Sequence, residues 1–240
     1  MNSNEKNIKP TGLFDKAHKE IPHWANHKIQ VWDENQYRLL EPFVTQDYWT
    51  DQGSINVFRV VGTQHWDYQG KTWLEFLETG KRMDINLALH EKNPGYYQET
   101  NRKKPMMYYL TLDGLNYYIG ADGNHRTCIA RFDYHYRGQT VLHGVTINHM
   151  YVDVEFLQLY RQLKDICRER KLLVNIDVQR INQGREDTAG WKLDLYQPQI
   201  VFEDMETLNK EILQKQTLAS KIQLLSKPAK RRWFGLAKSA

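Results

Sequence analysis

The chain has 240 residues, 33 of them Lys or Arg and 29 Asp or Glu, for a net charge of +4; 40% are hydrophobic and 12% aromatic. Such a composition excludes a globally disordered chain and leaves room for one large domain with appendages. No apolar run approaches the length needed to span a bilayer, and two cysteines, Cys128 and Cys167, make no disulfide framework.

Residues 1–28 are read as a flexible arm. The opening Met1-Asn2-Ser3-Asn4-Glu5-Lys6 lacks the apolar stretch of a secretion signal, and with the cysteine count this sets a cytoplasmic expectation. From Ile29 to Trp73 aromatics mix with turn residues. Ile55 to Val61 predicts a strand stopped by Gly62, and Trp73 to Leu77 a short helix ended by Gly80. A second short helix is expected over 84–92, closed by Pro94-Gly95.

Met106 to Leu112 and Leu115 to Ile119 are strand-like runs either side of Asp113-Gly114. Asp-Gly in that position predicts a two-residue hairpin, because a type I′ turn needs positive φ at both central residues. A helix follows from about Asn124 to Phe132, with Cys128 on its core face. Next come a strand within Val141 to Val152 and a longer helix with Phe156, Tyr160, Leu163 and Cys167 at helical spacing. Beyond it, a strand is expected around Val174–Val178, a charged loop at Gln183-Gly184-Arg185-Glu186-Asp187 and a short strand at Ile200-Val201-Phe202. A helical pattern then runs from Glu203 to about Leu225, where Pro228 ends it.

The chemistry concentrates where the second hairpin strand meets the helix, at Asp122-Gly123-Asn124-His125-Arg126-Thr127. A turn of this kind leaves unpaired N–H groups at a helix start, beside an imidazole and a guanidinium, which suits a phosphate. Gly123 lets the backbone approach an anion, and Asn124 tolerates unusual backbone angles and can cap. Arg126 carries a permanent fork of donors that matches phosphate oxygens. His125 donates a hydrogen bond or exchanges a proton near neutrality. Thr127 adds a hydroxyl. Asp122 either holds Mg²⁺ or positions water, or simply caps the helix. A capped turn with two surface charges is the plainer alternative for the whole cluster.

Strand, Asp-Gly-Asn-His-Arg, then an apolar helix resembles the signature of the ParB/sulfiredoxin superfamily, over residues 105–152 and more weakly over 54–104. The subgroup with Asp-Gly-Asn/Gln-His-Arg includes ParB-like nuclease domains and the Osa-like plasmid fertility-inhibition proteins. The resemblance implies an α+β fold with a mixed sheet, flanking helices and a C-terminal helical extension. It also implies that ATP or another NTP binds at this turn with Mg²⁺, coupled to DNA binding or DNase activity in a plasmid or mobile-element setting. In that scheme Asp122, His125 and Arg126 are catalytic, Gly123 to Thr127 hold the nucleotide, and Asp122 holds the metal. Sulfiredoxins carry a catalytic cysteine where this chain has Asn124, so their chemistry has no nucleophile here. Chromosome-partition ParB proteins follow the turn with a helix-turn-helix, which 154–240 does not display. An ATP-dependent serine-type kinase remains an alternative, with Glu75 or Glu78 as base. So does a non-catalytic module binding nucleic acid or a protein partner.

The expected organisation is therefore an arm over 1–28, the ParB-like core over 29–152, a helical and mixed extension over 153–226 packed on that core, and a basic tail over 227–240. Lys227, Lys230, Arg231, Arg232 and Lys238 lie in that tail with no acid; without them 28 basic residues face 29 acidic ones. With Trp233 and Phe234 the tail suits nucleic acid or an anionic surface, or is a solvated terminus. Arg102-Lys103-Lys104 are read as a solvated loop, or as lining the phosphate pocket. His143 and His149 fall on one strand face with nothing to complete a zinc set. The cations of the long helix, Arg161, Lys164, Arg168, Arg170 and Lys171, read as a solvated face. The tyrosines at 108, 109, 117, 118, 134 and 136 divide between core and base-stacking positions in a way the sequence leaves open.

Overall fold

A computed structural model describes residues 12–227. Among them are seven α-helices and a mixed sheet of nine strands, so the chain is α+β. The chain divides into two compact units: residues up to Val152 with Asn182–Tyr196, and Asp153–Ile181 with the residues from Gln197 on.

The first unit opens with α1 (Gly12–Lys19) and a 3-10 turn (His23–Asn26). Then come β1 (Gln30–Val31), α2 (Glu34–Leu40), β2 (Val44–Asn56), β3 (Val60–Thr63), α3 (Trp73–Thr79) and α4 (Met83–Lys92). The hairpin strands β4 (Tyr108–Thr111) and β5 (Tyr117–Ile119) lead into α5 (Asn124–Arg137) and β6 (Val141–Val152). Its strand order is β1-β3-β5-β4-β6-β2. β3 runs parallel to β1 and β5, β4 runs parallel to β6, and β4–β5 and β2–β6 are antiparallel. The core gathers Trp24, Trp73, Phe76, Tyr109, Ile129, Phe132 and Tyr134 with aliphatics from β2, β3 and β6.

Several expectations change. Residues 12–28 are not an arm: α1 and the 3-10 turn lie within them, and Leu13, Ala17, Trp24 and Ala25 are buried in the core. Residues 1–11 and the tail beyond Lys227 lie outside the described residues. Ile55–Val61 is not one strand. Asn56 accepts the Phe58 N–H at 2.9 Å and starts a 3-10 turn at Val57–Arg59, so the chain restarts as β3 and carries Gly62 inside it. The 106–119 hairpin forms, with Tyr109 opposite Ile119, but its turn is longer than two residues. The Asp113 carboxylate accepts the N–H groups of both Leu115 and Asn116 at 2.8 Å, which replaces ladder bonds with a local turn.

The second unit holds α6 (Val154–Glu169), β9 (Lys210–Leu213) and α7 (Lys215–Ser226). Two long strands, β7 (Val174–Thr188) and β8 (Trp191–Asp204), contribute segments to both units. Residues 153–226 are thus not one continuous extension, since Trp191–Leu195 of β8 pairs with β2 in the first unit. The expected loop at 183–187 is strand, where Arg185 meets the buried Asp194 at 2.5 Å. The helical pattern from Glu203 breaks in two. Asp204 accepts the N–H groups of Glu206 and Thr207, Leu208 takes φ 58°, and the chain folds back as β9 on β8 before α7 begins. Met205, Leu208 and Ile212 matched a helical period, but carboxylate capping of a turn decided the local fold.

Arg131 on α5 fastens the core of the first unit. Its guanidinium is buried and donates through Nη1 to the carbonyls of Val57 at 3.0 Å and Val60 at 2.7 Å. It lies 4.2 Å from the Trp73 ring centroid and 4.6 Å from that of Trp24. Burial pulls its pKa down to about 10, so the group is still charged at neutral pH, held by carbonyl dipoles and ring faces. Arg131→Ala is expected to cost at least about 2 kcal/mol in urea unfolding, since it strands two buried carbonyls and opens a cavity between two indoles.

Candidate functional site

The site is built where three segments of the first unit meet: the loop after β3, the α3–α4 junction and the start of α5. β5 ends at Ile119, and Gly120 to Gly123 turn the chain along the start of β4. There the Tyr108 N–H donates to the Asp122 carbonyl at 3.1 Å. Gly123 sits at φ 108°, and a Cβ there would come within 3.2 Å of the Met107 Cα, so only glycine fits without strain. The N–H groups of Asn124, His125 and Arg126 open α5 with no carbonyl four residues back in the helix, and the helix dipole makes this end positive.

Thr63, at the end of β3, fixes the neighbouring loop. Its hydroxyl donates to Asn124 Oδ1 at 2.6 Å and accepts the His65 N–H at 3.0 Å. Because β3 lies parallel to β5 in the sheet, residues 65–68 come to rest beside the α5 start. The result is a cavity of about 300 Å³ lined by His65, Asp67, Tyr68, Lys81, Arg82, Ala121, Asp122, Asn124 and His125. Lys81 and Arg82 are exposed, and the Arg82 guanidinium has no hydrogen bond or ion pair among the described residues. The cavity thus combines a helix N-terminus, two flexible cations, two imidazoles and two carboxylates.

The sequence-predicted residues separate at the first turn of α5. Asp122, Asn124 and His125 line the cavity. Asp122 Oδ1 accepts the Gly123 N–H at 2.6 Å and faces Arg126 Nη2 at 2.9 Å; Oδ2 makes no hydrogen bond among the described residues, and Asp122 is not the helix cap, because Gly123 is the N-cap of α5 and no side chain caps it. Asn124 is buried and committed to Thr63. Thr127 is buried too, donating to the Gly123 carbonyl at 2.8 Å and paired with the Tyr109 hydroxyl at 2.7 Å. Arg126 leaves the cavity altogether. Its guanidinium donates to the Pro105 carbonyl, the Met106 carbonyl at 3.0 Å and the Tyr96 hydroxyl at 3.1 Å, and it lines a second cavity of about 200 Å³ with His90, Tyr96 and Tyr97. Arg126 and Thr127 thus make structural bonds and do not line this cavity, whose cations are Lys81 and Arg82.

The other candidates fall elsewhere. Arg102 is an exposed loop residue that pairs with Asp51 at 2.6 Å, whereas Lys103 is buried with its ammonium donating to the carbonyls of Tyr96 and Glu99 and is not solvated; neither lines the first cavity. Lys104 lines the second cavity. Glu75 closes a capping box with Thr72, and Glu78 holds His18 at 2.8 Å. His143 bonds Ser54 at 2.8 Å, and His149 stacks on Tyr151 at 3.7 Å. His65, Asp67, Tyr68, Lys81 and Arg82 were missed by sequence reasoning. The only local signal was a polar and aromatic run after Gly62 and a cation pair after Gly80; nothing in their spacing announces that both meet α5.

His125 is the most perturbed group of the site. Burial, followed by the positive fields of His65, Arg82 and Arg126, lowers its pKa to about 4, against a smaller upward pull from Asp122. Its Nε2 lies 3.2 Å from the Tyr68 hydroxyl, and its ring is edge-on to that of Tyr68 at 5.3 Å. At neutral pH it is therefore a neutral hydrogen-bonding group, not a fixed cation. In the unfolded chain the ring regains a pKa near ~6.5, so between that value and about 4 the unfolded state binds more protons. Stability is accordingly lost as pH falls from about 7 toward 4. His125→Asn should show a shallower fall of Tm across that range in calorimetry, and ring-proton NMR should place the His125 titration near 4.

No family model, curated protein or solved structure matches the chain.

Proposed function

We propose that this chain binds the phosphates of a nucleotide at the N-terminus of α5 and hydrolyses a phosphoryl bond there, with DNA as a second partner. The observation that carries the reading is the convergence of the α5 start, Lys81 and Arg82 on one cavity that also holds the neutral His125 and the Asp122 carboxylate. Main-chain N–H groups and a helix dipole favour an anion, and two long cations add charge that follows it. His125 and the Tyr68 hydroxyl, 3.2 Å apart, supply hydrogen-bonding positions for water or a phosphate oxygen. Among the described residues no three His, Cys, Asp or Glu side chains gather to hold a metal by themselves. Asp122 Oδ2 and the Asp67 carboxylate fit a Mg²⁺ ion that arrives with the phosphates, since that ion is usually held by one or two carboxylates plus phosphate oxygens. It would neutralise charge on those phosphates.

The DNA part rests on the sequence, through the basic tail. One observation favours the alternative of binding without turnover: Arg126, the residue expected to stabilise developing charge, is spent on carbonyls. Calorimetric titration with ATP and a phosphate-release assay separate the readings. Arg82→Ala should weaken ATP at least about tenfold with Tm unchanged, because the side chain is exposed and bonded to nothing it would abandon. Asp122→Asn and His125→Asn should abolish phosphate release. Binding that persists with no release by the parent chain supports the non-catalytic module, and failure of the parent to bind ATP ends the nucleotide reading. Arg126→Ala, by contrast, should lower Tm, because it uncovers carbonyls that its guanidinium now serves.

A further inference from the structure

The rings beside the cavity form a ladder. Phe76 and Tyr68 lie 4.2 Å apart at 29°, Tyr68 and His65 4.5 Å apart at 30°, and His65 and Trp66 6.4 Å apart at 22°. The inner rungs, Phe76 and Tyr68, are buried, whereas Trp66 is 78% exposed. The Trp66 indole N–H has no hydrogen-bond partner among the described residues. A lone exposed apolar side chain needs no explanation. Trp66 differs in position: it ends a series of rings each tilted 22° to 30° from the next, and although it does not itself line the cavity, the residues on either side of it in the chain, His65 and Asp67, both do. Tryptophan offers the largest flat face of any side chain, and a planar ring laid on it recovers apolar burial and stacking together.

We propose that Trp66 is the base-stacking platform of this site, so that its ligand is a nucleoside polyphosphate whose base lies on the indole while its phosphates enter the cavity toward α5. This rests on the phosphate reading above and goes beyond it in placing the base and the residue that holds it. Bare polyphosphates and sugar phosphates satisfy the cations and the helix start but leave the ladder open. Every base has a flat face, so stacking of this kind tolerates purines and pyrimidines alike. The choice among bases is then small, and the discrimination lies between having a base and having none.

The test titrates the parent chain and Trp66→Ala with ATP, CTP and inorganic tripolyphosphate by calorimetry, and follows tryptophan fluorescence in parallel. Both nucleotides should bind the parent about tenfold tighter than tripolyphosphate and quench its fluorescence. In Trp66→Ala the nucleotides should fall to the affinity of tripolyphosphate, the tripolyphosphate affinity should stay put, and the quench should vanish. Trp66→Tyr should restore most of the nucleotide advantage. Equal binding of all three ligands by the parent overturns the platform while leaving the phosphate site standing, as does a nucleotide advantage that survives Trp66→Ala. If none of the three binds the parent, the phosphate reading fails and takes the platform with it.

Discussion

The first unit hangs on α5, a core helix whose polar side chains are nearly all spent on its surroundings. Asn124 receives Thr63, Arg126 serves two carbonyls near residue 105, Thr127 meets Tyr109, Arg131 serves the Val57 and Val60 carbonyls, and the Tyr134 hydroxyl donates to the Tyr97 carbonyl at 2.5 Å. Some of these bonds reach the strands β3 and β4, and others reach segments outside the sheet, at Val57, Tyr97 and residues 105 and 106. Buried carbonyls must be paired, and here a helix side chain pairs them instead of a neighbouring strand. The helix is thereby locked in rotation as well as in position, which apolar packing alone fixes less sharply.

Rotational locking decides what the first turn of α5 can do. Consecutive residues on a helix point about 100° apart, and with the helix held the His125 and Arg126 side chains diverge to different cavities. His125 goes to the side of Tyr68 and Phe76, where burial and neighbouring cations keep it neutral. Arg126 goes to the side of Tyr96 and the carbonyls of Pro105 and Met106. Asp122 pairs with Arg126 through one oxygen and lines the cavity with His125. The positive charge facing the α5 start then has to come from another element, and the α3–α4 junction supplies Lys81 and Arg82.

Much of the local structure was legible in the chain because its signals are short-range. α3 and α4 were readable from periodicity and Gly80, and α5 from an apolar stripe after Gly123. β6 and α6 were readable from runs of matching period. The misreadings share a cause. At Asn56, Asp113 and Asp204 a side-chain oxygen captured main-chain N–H groups and redirected the backbone against its hydrophobic pattern. The stretch 183–187 failed differently: its charges looked like a loop, yet Arg185 finds the buried Asp194 across the strand pair.

By itself the sequence determined that a glycine turn opens a helix after a hairpin strand, with an imidazole and unpaired helix N–H groups at its start. Those facts need only neighbouring residues, because turn geometry and helix polarity are local. Tertiary structure alone decided which cations line the cavity beside that helix start and which ring ends in water. Parallel pairing of β3 with β5 carries residues 65–68 across from a distant part of the chain, and no spacing rule encodes which strand becomes another's neighbour.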